Sequence, residues 1–146
     1  MAIERISEIQ LGDMLLVFEQ ETDFKRVGFY MMPAGMAAQD VCHRKFYRIN
    51  SLAQLKLMGD IYPNCYGNGQ TMHNCETANL FEYDTQTVES EGEKTYIRTV
   101  MRDHRGYDLV NVITWYQGEE SFEMKNIFTN HSEDMVTLEM IASFEM

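Results

Sequence analysis

KTYIRTVMRD (Lys94–Asp103), YDLVNVITWY (Tyr107–Tyr116), SFEMKNIFTN (Ser121–Asn130) and MVTLEMIASFEM (Met135–Met146) follow one another with only HRG, QGEE and HSED between them. Apolar and polar residues alternate along each run, which is the period of a strand. The connectors carry Gly, Ser and Asp, residues that turns favour. In the last run Val136, Leu138, Met140, Ala142, Phe144 and Met146 share one face, and Thr137, Glu139, Ser143 and Glu145 share the other. One dry face and one wet face is the antiparallel pattern. In YDLVNVITWY both faces are apolar, Leu109, Ile113 and Trp115 on one and Val110 and Val112 on the other. That strand belongs in the middle of a sheet.

Upstream of the meander, MLLVFEQ (Met14–Gln20), RVGFYMM (Arg26–Met32), LAQLKLM (Leu52–Met58) and NLFEYD (Asn79–Asp84) read as further strands. Ala37–Ile49 reads as an irregular link, and helix signals are scarce. The fold class is therefore all-β, an antiparallel β-sandwich occupying residues 1–146 as one domain. The final apolar run reaches Met146 without a polar tail. On this reading the domain is incomplete, with an open strand edge and a tendency to self-associate.

Composition narrows the function classes. Apolar residues make up 45% of the 146-residue chain, enough for a real core. Aromatics at 12% favour pleated surfaces. Acidic residues outnumber Lys and Arg by 23 to 12, and the net charge is −11. Phosphate backbones need clustered cations, so nucleic acid is excluded as a partner, and so is an anionic membrane surface. The start, MAIERISEIQLGD, has charges breaking every apolar run, unlike a secretory leader. No apolar stretch approaches membrane-spanning length. An odd count of three cysteines cannot complete a disulfide framework. Together these point to a reducing, cytoplasmic setting.

Chemistry concentrates in GDIYPNCYGNGQTMHNC, Gly59–Cys75. Cys42, His43, Cys65, His73 and Cys75 are soft or borderline metal ligands. They lack the paired spacing of structural zinc sites, and no metal or other cofactor is expected. Adjacent Cys42 and His43 project oppositely in an extended chain, so they do not form a simple nucleophile–base pair. His104 and His131 fall in hairpin turns. The ESEGE run (Glu89–Glu93) reads as a solvated turn. No carboxylate sits in an apolar run that marks it for acid–base work. The same loop also suits a sugar, with Tyr62 and Tyr66 for ring faces and Asp60, Asn64, Asn68, Gln70, His73 and Asn74 for hydroxyl groups. Gly59, Gly67 and Gly69 permit tight turns in it.

Two ordered segments carry a family resemblance. QLKLMGDIYPNCYGNGQTMHN is followed, several strands later, by SFEMKNIFTNHSEDMVTLEMIASFEM. This order resembles the amino-terminal domain of bacterial α-galactosidases of glycoside hydrolase family 36. That family carries a strand leading into a Gly-Asp loop, then a stretch of the form N-x-G-x-E-P-V-x-L-E-Y-x-S-S-F. Asn130, Glu133, Val136, Leu138, Glu139, Ser143 and Phe144 hold its frame here. The match runs from about Arg48 onward. The resemblance implies one part of a large, galactose-mutarotase-like β-supersandwich followed by a catalytic (β/α)8 barrel absent from this chain. The barrel carries two aspartates acting by the retaining mechanism through a covalent intermediate. It further implies a homo-oligomer in which this loop faces galactoside sugars at a neighbouring active site. Asp60, Tyr66 and Asn68 are the sugar-facing candidates, and no catalytic residue is expected in this chain. The alternative is a free-standing carbohydrate-binding or small-ligand β-sandwich.

Overall fold

The structure, a computed structural model, describes residues 2–23, 25–39, 51–63 and 74–143. Its strands are β1 (Ile3–Leu11), β2 (Met14–Glu21), β3 (Val27–Pro33), β4 (Leu55–Leu57), β5 (Glu82–Glu91), β6 (Lys94–Asp103), β7 (Tyr107–Tyr116), β8 (Phe122–Asn130) and β9 (Leu138–Ile141). A 3₁₀ helix, Ala34–Gln39, follows β3, and one short helix, α1 (Glu76–Leu80), precedes β5. The strands form three sheets, ordered β1-β2-β3, β4-β9 and β5-β6-β7-β8. Every pairing is antiparallel. The fold is all-β and sandwich-like. No helix among the described residues is long and apolar enough to cross a membrane.

The first three strands of the meander stand where their alternation put them. β6 and β7 keep the boundaries read from the sequence, and β7 lies inside the four-stranded sheet. Its residues facing the core, Leu109, Asn111 and Ile113, are fully buried. Val112 on the opposite face is also buried, flanked in register by Arg98 and Lys125. Their aliphatic stems are long enough to cover it while the charges stay wet.

One core joins the sheets. Leu16, Phe18 and Phe29 from the first sheet meet Ile97, Met101, Leu109 and Ile113 from the third, with Leu52, Ala53, Leu55 and Leu57 closing the side. The Phe18 and Phe29 rings stack with centroids 5.7 Å apart. Phe18, Ile97, Leu109 and Ile113 are essentially solvent-free, so truncating one to alanine costs about 2–5 kcal/mol.

Four readings change. β1 arises from the amino-terminal segment, to which no strand was assigned. Leu52–Gln54 is bent and only Leu55–Leu57 is strand, although Leu52, Ala53 and Gln54 are all buried. Its backbone still finds partners: Leu52 N donates to Val27 O at 2.6 Å, and Ala142 N donates to Gln54 O at 2.7 Å. Asn79 and Leu80 belong to α1, and the strand that follows runs on to Glu91, so much of the ESEGE run is strand and only its end turns. The final strand shrinks to Leu138–Ile141 and pairs with β4, not with β8. Phe144–Met146 lie outside the described residues.

Candidate functional site

The base of the Gly59–Cys75 loop is a densely bonded polar cluster. The chain leaves β4 through Met58 and Gly59, where φ is +92° and glycine is the residue that fits without strain. Asp60 then folds back. One of its oxygens, Oδ2, accepts from Leu57 N at 2.7 Å, and Oδ1 accepts from the Thr77 hydroxyl at 2.8 Å. The carboxylate therefore bridges the strand before the loop and the helix after it.

Three further ties close the mouth. Glu76 N donates to Ile61 O at 3.0 Å, and Ile61 N donates to Glu76 Oε2 at 3.2 Å. Asn74 sits at φ +54°, a left-handed position that asparagine tolerates. Its Oδ1 accepts from Ser51 N and Gln54 Nε2, each at 3.1 Å, and its own N–H donates to Gln54 Oε1 at 2.7 Å. Asn79 Nδ2 donates to Asn74 O at 2.8 Å. Gln54 is buried, so this exchange also satisfies an amide that would otherwise be costly.

Cys75 caps α1. Its sulfur accepts from Ala78 N at 3.5 Å, while the thiol donates to Leu55 O at 2.8 Å. Burial pushes the thiol up to about 11, with the nearby Asp60 carboxylate adding to the rise. At neutral pH it is a protonated hydrogen-bond donor and not a nucleophile.

A second charge holds the cluster from the meander side. Arg105, in the turn between β6 and β7, donates from Nη2 to Thr77 Oγ1 at 3.1 Å. Its Nε and Nη2 also grip the buried Asp103 carboxylate at 3.0 and 2.5 Å. Its guanidinium lies 5.0 Å from the centre of the Tyr107 ring. The hydrogen bond to Asp103 raises the Arg105 pKa. Asp60, Thr77, Arg105 and Asp103 thus form a continuous chain from the loop to the third sheet.

The residues singled out in the sequence divide accordingly. Asp60 stands at the loop base with both oxygens engaged in closing it. Tyr66 and Asn68 lie outside the described residues, as do Cys42, His43, Cys65 and His73. Among the described residues there is no group of three His, Cys, Asp or Glu side chains placed to hold a metal. His104 lies 3.4 Å from Asp103, and His131 Nε2 lies 3.1 Å from Asp108. Thr77, Arg105, Asp103 and Gln54 were not anticipated. The D-H-R-G turn was legible, but nothing local announces that its arginine reaches a helix far away in sequence.

No protein-family model, no curated protein and no solved structure matches the chain. The chemistry of the loop base is that of a clamp. It ties both stems of a polar, glycine-rich loop to β4, to α1 and to the segment before β4.

Proposed function

We propose that this chain is the non-catalytic amino-terminal β domain of an α-galactosidase-like retaining glycosidase. The observation that carries the reading is the double pinning of the Gly59–Cys75 loop, by Asp60 to Thr77 and by Asn74 to Gln54. A sugar-facing loop gains affinity when its ordering cost is met in advance, and fixed stems do that. Tyr66 would stack on a galactoside ring face, and Asn68 would hydrogen-bond its hydroxyl groups. Asp60 would act through the loop, as the residue that positions it. The same reading puts the protein in the cytoplasm, packed on a catalytic barrel of its own chain and assembled as a homo-oligomer. It needs no cofactor, and the chain alone has no turnover.

The test begins with the coding frame beyond Met146. A frame running on through alternating strands and helices, with aspartates at strand ends, supports the reading. In that longer protein Tyr66→Ala and Asn68→Ala should raise KM for an aryl α-galactoside while the melting temperature holds. A stop codon directly after Met146 would overturn the reading in favour of a free-standing sugar-binding sandwich. So would measurable α-galactoside hydrolysis by the 146-residue chain that persists through repurification.

A further inference from the structure

A second site lies far from that loop in sequence, where the β1–β2 turn, the end of β3 and the β7–β8 turn converge on a cleft of about 610 Å³. This falls within the size range of small-ligand sites. Met14, Met31 and Met32 supply much of its apolar wall. Thioether side chains adapt to irregular apolar bodies. The rim is of one sign among the described residues: Asp13, Glu119 and Glu120 are all exposed there, and no described lysine or arginine lines the cleft. None of the three acids is in an ion pair among the described residues.

The walls are tied to one another. Ala34 N donates to Asp13 O at 2.7 Å, joining the first turn to the end of β3. Trp115 Nε1 donates to Glu119 O at 2.8 Å, holding the other turn. Gly12 lies so close to the Trp115 ring that an added Cβ would stand 3.3 Å from it. The cleft is therefore preformed by two locked turns, which spares a ligand the cost of ordering it.

We propose that this cleft binds a small organic cation with an apolar body, the ammonium at the acidic rim and the body against the methionines. A preformed apolar wall selects for the body, and three carboxylates without an ion pair among the described residues select for the sign of the head group. The proposal is independent of the galactosidase reading and of the loop it uses.

The experiment is a titration of the chain carrying ¹³C-methyl methionine, followed by NMR, with hexylammonium, hexanoate and hexanol as probes. Hexylammonium should shift the Met14, Met31 and Met32 methyl signals saturably at millimolar concentration. Hexanoate should bind at least about tenfold more weakly. The D13N/E119Q/E120Q variant should lose about tenfold in hexylammonium affinity while hexanol is unaffected. Molar salt should weaken hexylammonium in the unaltered chain, which tests the charge without any mutation. Equal binding of hexylammonium and hexanoate would overturn the proposal, as would the absence of a saturable shift.

Discussion

Asp60 separates a residue that holds the loop from one that touches a sugar. Asp60→Ala removes the acceptor for Leu57 N and for the Thr77 hydroxyl. Leu57 and Thr77 are both buried, so water does not replace that acceptor freely. A hydrogen bond to a charged group contributes about 1.5–3 kcal/mol, and a buried donor left unmet costs a comparable amount. The Thr77 hydroxyl can rotate and still accepts from Arg105, so about 1 kcal/mol is assigned to it and about 2 kcal/mol to the Leu57 amide. The sum, about 3 kcal/mol, lowers the melting temperature by about 10 °C for a domain of this size. Asp60→Asn keeps one oxygen for Leu57 N and should cost only about 1 kcal/mol, a shift of about 3 °C. Thermal melts give the global effect, and hydrogen exchange at the Leu57 amide gives the local one. An alanine variant that melts within about 2 °C of the parent, with the Leu57 amide still protected, would refute the clamp. A sugar contact without a clamp would lower galactoside affinity in both variants and leave both melts unchanged.

Cys75 should make stability fall at alkaline pH. Its folded pKa is raised to about 11 from 9.0, so the folded state keeps its proton where the unfolded chain loses it. The associated stability is fully present below pH 9.0 and is lost as pH rises toward 11. Denaturant melts of the parent should therefore decline more steeply across that window than those of Cys75→Ser, and parallel slopes would reject the assignment. Arg26 Nη2 grips both oxygens of Glu21 at 2.9 and 2.7 Å, and both side chains are buried. Arg26→Met should destabilise by about 3–5 kcal/mol, and the double variant Glu21→Leu/Arg26→Met by clearly less. Equal losses by chemical denaturation would show that the pair is not coupled. Gly12→Ala places a Cβ at φ +58° and against Trp115, the chain's single tryptophan, at a cost of about 1–2 kcal/mol. It should shift the Trp115 emission, and an unchanged spectrum with an unchanged melt would contradict the packing described.

The meander was legible because two signals agreed. Strand-period patterning set the strands, and Asp-His-Arg-Gly and Gln-Gly-Glu-Glu set their ends, where Gly106 and Gly118 adopt φ of +95° and +89°. Alternation gives the face of a strand but not its partner. Leu138–Ile141 therefore looked like a fourth meander strand and instead pairs with Leu55–Leu57. β1 was hidden because Glu4, Arg5 and Glu8 interrupt its apolar residues, and a bulge near Ile6 shifts its register. Asn79 and Leu80 looked extended because the helix before them is capped by a cysteine, and cysteine is outside the usual capping set.

The loop base was only half legible for a related reason: one of its ties, Arg105 to Thr77, depends on the register of the third sheet. Gln86, Thr99, Asn111 and Asn126 lie opposite one another across all of its strands. Gln86 donates to Thr99 at 3.0 Å and Asn111 donates to Asn126 at 2.8 Å. Ser7 of β1 donates to Gln86 at 2.5 Å, and Asn126 donates to Ala142 O beyond β9 at 2.5 Å. This polar row links the first and third sheets and reaches the segment just after β9. A one-residue slip of any strand would turn its member of the row to the outer face and leave the neighbours unpaired. Asn111 Oδ1 is the one atom of the row that finds no partner among the described residues, which marks the cost of the arrangement. The register so enforced sets Asp103 opposite Tyr107 and closes the turn that carries Arg105. Arg105 then reaches Thr77, and Thr77 reaches Asp60. The third sheet thus reaches the base of the loop through Arg105, a tie that the loop's own residues do not announce.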